Sequence, residues 1–208
     1  MGADGKRLTD VAEYARDRLH TVTRVEAATA TVTRHLTLLP PTRVKRLHPD
    51  PRLDEGGVAG LGVVERAWAA RTCSQVVRGV SRRQGRLLLR LAVRVWPEVG
   101  EYLPVDREVP RPIVLGVVAA VNGLSAEQLV RVVAYDDVQT VVSASLKLLP
   151  VDPAEAAGWL AGLHDEIERL VKDVAPLTEP DAIPADGAPL IDLFAHQHAT
   201  ERMRLFHA

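Results

Sequence analysis

The chain of 208 residues carries 26 Lys and Arg against 27 Asp and Glu, a formal net charge of −1 that disfavours a polyanion such as nucleic acid as the global partner. Hydrophobic residues make up 47% and aromatics only 4%, so Leu, Val and Ala must fill the interior, a composition suited to helix-on-helix packing. The single cysteine, Cys73, excludes an intramolecular disulfide and a thiolate metal cluster within the chain, and the length is that of one domain over residues 1–208.

The opening MGADGKRLTD is polar and charged and offers no apolar signal region, which makes the cytoplasm the expected location. Asp10 with Glu13 is a capping-type start. After it Val11, Ala15, Leu19, Val22, Val25, Thr29, Val32 and Leu36 recur at steps of three and four, predicting one buried helix face with a possible break at Thr21 or Thr23. Residues 40–57, PPTRVKRLHPDPRLDEGG, read as a Pro-rich surface loop. A third helical stretch places Leu61, Val64, Trp68 and Val76 on one side.

Between Val77 and Pro97, Arg78, Arg82, Arg86, Arg90 and Arg94 stand four apart, with Leu87, Leu88, Leu91 and Val95 on the opposite side. In one continuous helix a step of four advances by about 40°, so the arginines would wind across one broad positive face. That face is either a solvated surface or a docking face for an acidic partner, since guanidinium forks favour carboxylates. Gly79 and Gly85 count against a single helix.

From Pro112 to Pro150 the spacing predicts a central antiparallel hairpin of two helices. Ile113 to Val121 is apolar all round, with Gly116, Ala119 and Ala120 keeping one side thin. Asn122-Gly123 ends that helix, and Ser125 with Gln128 is a capping box for the next. Leu129, Val132, Val133, Val138, Val141, Val142, Leu146 and Leu149 form the apolar set of the second arm, which stops at a proline. The apolar run before Asn122 is about half the roughly 20 residues a membrane span needs. Next, Asp152 as cap, Pro153 at the first helical position and Glu155 start a helix to Pro176 with the stripe Ala156, Leu160, Leu163, Ile167, Leu170 and Val174. A loop and a C-terminal tail at 190–208 follow, helical to about Arg202. The fold class is therefore all-α: a single-domain bundle of about seven or eight helices around the 112–150 hairpin.

Two constellations bear on chemistry. His196 and His198, two apart, point about 200° apart on a helix and cannot share one metal from one helical face, while an extended segment would allow it. His207 could add a ligand if the tail folds back. Asp136-Asp137 lies inside a mostly apolar helix and needs a partner or water, with Arg131 and Lys147 as candidates; a polar lining of a channel or interface is the other reading. No phosphate loop, nucleophile elbow, HExxH or dinucleotide fingerprint occurs. A catalytic assignment thus has no motif behind it, and a helical metal-binding bundle or enzyme using Asp136, Asp137, His196 and His198 is the alternative to an interaction protein.

Four segments in order carry a family resemblance: Ser81-Arg82-Arg83-Gln84-Gly85-Arg86-Leu87-Leu88-Leu89-Arg90, then Arg111-Pro112-Ile113-Val114-Leu115-Gly116, then Lys147-Leu148-Leu149-Pro150, and the C-terminal Arg204-Leu205-Phe206. Together they resemble the urease accessory protein UreF family, from about Asp4 to Ala208 and best beyond Val77. The resemblance implies an all-helical, dimeric, non-catalytic protein that binds the accessory protein UreD (also called UreH). With it, the family recruits the nickel-carrying GTPase UreG to the urease apoprotein. It also implies that Ser81, Gly85, Pro112, Gly116, Lys147 and Pro150 are structural motif positions. Arg204, Leu205 and Phe206 would bind partners, Arg204 on the face that recruits the GTPase, and Arg82, Arg86 and Arg90 are further candidates for partner contact. No cofactor or stable metal of its own is expected, nickel being handled by the complex. Two local departures are Arg111, where the family commonly has His, and Val151-Asp152-Pro153, where it has Leu-Gly-Gln. The chain also opens at what resembles the family's second helix, so the N-terminal family helix and motif are expected to be missing.

Overall fold

The computed structural model describes residues 4–40, 42–44 and 60–200, side chains excepted at 4–10, 190, 191, 194 and 198–200. The greater part of the 40–57 loop and the tail residues Arg204, Leu205, Phe206 and His207 lie outside the described residues. Helices α1 (Asp4–His20), α2 (Val22–Leu38), α3 (Leu61–Arg71) and α4 (Gln75–Val95) are followed by a 3-10 turn at Pro97–Glu101. Then come α5 (Arg111–Val121), α6 (Ala126–Leu148), α7 (Pro153–Gly162), α8 (His164–Val174), a 3-10 turn at Pro180–Ala182 and α9 (Pro189–Thr200). No strand occurs among the described residues, so the all-α expectation holds.

Local signals set most boundaries. The break between α1 and α2 falls at Thr21, whose hydroxyl donates to the Asp17 carbonyl. Ser125 and Gln128 form the reciprocal capping box of α6, and Gly123 takes the left-handed φ of 69° that turns the chain out of α5. Asp152 accepts from the N–H groups of Ala154 and Glu155, with Pro153 in the first turn. The helix expected from there to Pro176 divides, however, into α7 and α8 at Leu163. Gly158 and Gly162 weaken helix propagation just before the break, and Leu163 at the break is buried. In contrast, α4 runs unbroken through Gly79 and Gly85; at Gly85 the chain at Val109–Arg111 packs against it, whereas at Gly79 a Cβ would meet only the Arg83 guanidinium.

The hairpin forms, yet its two arms close on α2 rather than on each other. Helix α2 packs most extensively with α5, then with α6, and it touches α1, α3 and α8 as well. Its sequence explains how a helix can be so surrounded. Ala27, Ala28 and Ala30 are fully buried and thin, and the hydroxyls of buried Thr29, Thr33 and Thr37 donate to the carbonyls four residues back, so they need no outside partner. Around this spine one apolar cluster gathers Leu19, Val32, Leu36, Trp68, Val133, Val138 and Ile167. A second joins α4, α5 and the first 3-10 turn through Leu89, Ala92, Val99, Ile113, Val114 and Val117. Each fully buried Leu or Val contributes about 1.5–3 kcal/mol over leaving it in water. Among the expected core residues of α6, Val132 and Leu146 instead face solvent, because α1, α2, α7 and α8 together occupy only part of its circumference.

Two glycines let backbones meet. A Cβ at Gly85 would collide with the Val109 carbonyl and come within 2.8 Å of the Arg111 nitrogen, and one at Gly116 would lie 2.5 Å from the Ala30 carbonyl and 2.6 Å from Thr33 Cβ. Glycine in a helix interior ordinarily costs about 1 kcal/mol relative to alanine. Here the obstacle is backbone or buried side chain, so the sign reverses. Gly85→Ala and Gly116→Ala should each destabilise the fold by about 1–3 kcal/mol, read as a lowered thermal midpoint, whereas Gly158→Ala, with nothing within 4 Å of the point a methyl would occupy, should be neutral or stabilising.

Candidate functional site

The motif residues Ser81, Gly85, Pro112 and Gly116 meet at one place, the start of α5. Pro110 precedes that helix and offers no side-chain cap. Buried Ser81, one turn before Gly85 on α4, accepts the Arg111 N–H at 3.2 Å and so caps α5 from a neighbouring helix. Pro112 occupies a position in the first turn where a missing N–H costs nothing, and Gly116 a turn later lets α2 approach. Lys147 sits in the last turn of α6, a favourable place for a cation, and exposed Pro150 follows the helix end. Ser81, Gly85, Pro112 and Gly116 thus stand at the start and the contacts of α5, and Lys147 and Pro150 at the end of α6.

Arg111 also anchors a charge cluster. Its guanidinium donates to Glu26 at 2.9 Å and to Asp136 at 2.6 Å, tying α5 to α2 and α6. Next to it Arg18 forks Asp137 at 2.9 and 2.5 Å, and the Thr23 hydroxyl donates to the same carboxylate at 2.6 Å. The partners of Asp136-Asp137 are thus Arg111 and Arg18, not Arg131. On a helix Arg131 stands about 140° from Asp136 and about 120° from Asp137, and it forks Glu168 on α8 instead. Burial works against the Arg18 cation, but its hydrogen bond and charge contact with Asp137 outweigh it and raise the pKa. Burial also raises the Glu26 carboxyl above the usual range, with Asp137 adding to the shift and Arg111 opposing it.

The cluster lines a cleft of about 450 Å³ between α1, α2, α4 and α6, with Ala195 of α9 at its edge. Every carboxylate in it is engaged by an arginine. Among the described residues no three His, Cys, Asp or Glu side chains gather as metal ligands. His196 lies exposed on helical α9, where a two-residue step separates it from the direction of position 198 by about 200°; the His198 side chain lies outside the described residues. The arrangement joins helices and leaves Glu26, Asp136 and Asp137 all occupied.

The arginine face of α4 is partly consumed by the fold. Arg78 donates to the carbonyls of Thr72 and Cys73, Arg82 pairs with Glu65 and lies over the Trp68 ring, and Arg86 approaches Glu108 at 3.6 Å. Arg90 and Arg94 are exposed. The apolar side is the surprise: Leu87, Leu91 and Val95 are 61%, 58% and 55% exposed, while Leu89 and Ala92 face the core. The periodicity identified a stripe correctly but could not say which of two adjacent stripes the bundle would cover. Sequence reasoning also missed Arg18, Thr23 and Glu26. The available signal for Glu26 was its place as the sole carboxylate of α2.

Among the described residues the scaffold is all-helical, and Ser81, Gly85, Pro112 and Gly116 serve the packing at and along α5. Comparison gives the family. The UreF family model matches residues 6–164. The urease accessory protein UreF of Mycobacterium sp. (strain JLS) is 34% identical over 151 residues, covering 72% of this chain and 68% of the relative. That of Mycobacterium tuberculosis (strain ATCC 25618 / H37Rv) is 35% identical over 152 residues, 71% and 67% of the two chains, and that of Mycolicibacterium vanbaalenii 30% over 141 residues, 66% and 61%. The chain belongs to the UreF family of urease accessory proteins.

Removing the Arg111 side chain leaves Glu26 and Asp136 without their shared cation, so Arg111→Ala should lower stability by about 1–3 kcal/mol in chemical denaturation. Glu26 has a raised folded-state pKa, so its contribution is fully present below the ordinary carboxylate value and is lost as pH rises through the raised value. The thermal midpoint of Glu26→Gln minus that of the wild type should therefore increase between about pH 4 and pH 7, measured by calorimetry.

Proposed function

We propose that this protein is a non-catalytic adaptor in the maturation of urease by nickel insertion, acting in the cytoplasm with UreD/UreH to recruit the nickel-carrying GTPase UreG to the urease apoprotein. The observation that carries this reading is the family match over residues 6–164, together with relatives named as urease accessory proteins. The occupied carboxylates of the charge cluster support it, because Asp136 and Asp137 have arginine partners and are poorly placed to serve as free ligands or bases. No helix among the described residues is long and apolar enough to cross a membrane.

In this reading the chain works as a homodimer within the complex, holds no cofactor of its own, and passes nickel handling to the assembly. The tail residues Arg204, Leu205 and Phe206 contact partners, with Arg204 on the face that recruits the GTPase. Arg82 and Arg86 contribute less to docking than Arg90, since Glu65 and Glu108 already engage them.

The test is co-elution of the purified chain with UreD/UreH and UreG from the same host on size exclusion. The wild type should run with both, and Arg204→Ala should retain UreD/UreH and lose UreG. A wild type that elutes alone would remove the adaptor role, and a GTPase retained by Arg204→Ala would remove the tail from it.

A further inference from the structure

The second half of α4 leaves uncovered a stripe that hydrophobicity alone would send inward. Leu87, Leu91 and Val95 recur at steps of four, drifting about 40° each, and Trp96 at 36% exposure extends the row past the helix end. Along one edge stand Arg90 and Arg94, within about 60° of Leu87 on the helix circumference, and neither has a hydrogen bond or ion pair with a described residue. The other arginines of α4 with carboxylate partners, Arg82 and Arg86, lie toward its first half. An apolar row of this kind bordered by cations without a carboxylate partner among the described residues has a defined chemical complement.

Charge decides between occupants. Helix α4 contains six arginines, at positions 78, 82, 83, 86, 90 and 94, and no Asp or Glu. A second copy docked antiparallel through the stripe would bring the two arginine edges together on the same side. Docked parallel, it would set Arg90 and Arg94 against the opposite edge, formed by Gln84 and Leu88, which again supplies no carboxylate. Like charges across an interface are repulsive, so self-pairing is the poorer solution. Resting on the adaptor reading above, we propose that Leu87, Leu91 and Val95 with the Arg90–Arg94 edge form a docking surface for an amphipathic helix of a partner protein. That helix carries aliphatic residues along its centre and carboxylates along one flank. The aliphatic row supplies the area removed from water, and the guanidinium edge sets orientation and speeds encounter.

The experiment measures binding of the full chain to three separate probes, UreD/UreH, UreG and the urease apoprotein, by biolayer interferometry at low and high salt. Leu91→Glu and the double variant Arg90→Glu/Arg94→Glu are compared with the wild type, with circular dichroism and the thermal midpoint as fold controls; all three residues are exposed, so both controls should match the wild type. Both variants should weaken the same one of the three interactions by roughly tenfold or more, and for the arginine variant the deficit should shrink at high salt, where screening has already removed part of the attraction. Unchanged binding to all three overturns the docking surface and leaves the adaptor reading standing. Loss of self-association alone, seen by light scattering, assigns the stripe to a second copy and overturns it too. A wild-type chain that binds none of the three removes both readings together.

Discussion

The tightest constraint in this protein is the passage of α5 between two neighbours at backbone distance. Gly85 lets α4 rest on the chain at Val109–Arg111, where α5 begins, and Gly116 lets α2 rest on α5 itself. With a side chain at either place the helices would have to move apart, and the close-packed interior around Ile113, Val114 and Val117 would open. The Ser81 hydroxyl adds a directional element, because it can accept the Arg111 N–H only when α4 and α5 sit in one register. Two short motifs far apart in sequence are thus the two halves of a single contact.

From that contact the charge cluster follows. Once the start of α5 is placed, the Arg111 side chain falls between Glu26 and Asp136 and links α5 to α2 and α6, beside the Thr23–Asp137 hydrogen bond that already joins the latter two. Arg18 and Asp137 repeat the device between α1 and α6. Such pairs contribute little net stability compared with an apolar substitute, yet they penalise any packing that leaves a carboxylate in the interior without its cation. A helical bundle filled by Ala, Val and Leu has many sliding alternatives, and these pairs select among them. The stability of the fold and the choice of register therefore have different sources here.

Much of the architecture was readable in advance. The Ser125 and Gln128 capping box, the turn at Gly123 and the Asp152-Pro153 start act within a few residues, so local chemistry sets them irrespective of the rest of the chain. Periodicity likewise located the helices. The outcome differs in three places: α4 continues through two glycines, the helix after Asp152 divides at Leu163 behind Gly158 and Gly162, and Val132, Leu146 and the Leu87 stripe are left in solvent. Hydrophobic spacing states that a face exists and is silent on whether another element comes to cover it. The partners of Asp136 and Asp137 were similarly out of reach, since Arg111 and Arg18 lie 25 and 119 residues away.

By itself, then, the sequence determined the all-helical class, most of the punctuation between helices and the family to which the chain belongs, because each depends on short runs of residues or on ordered motifs. Only the tertiary structure decided that α2 is the spine of the bundle, that the acidic pair is matched by arginines from other helices, and that one apolar row of α4 remains open. These depend on which surfaces meet in space. Meeting is settled by the thinness of a few glycines and alanines and by the geometry of charge, quantities that no single segment contains.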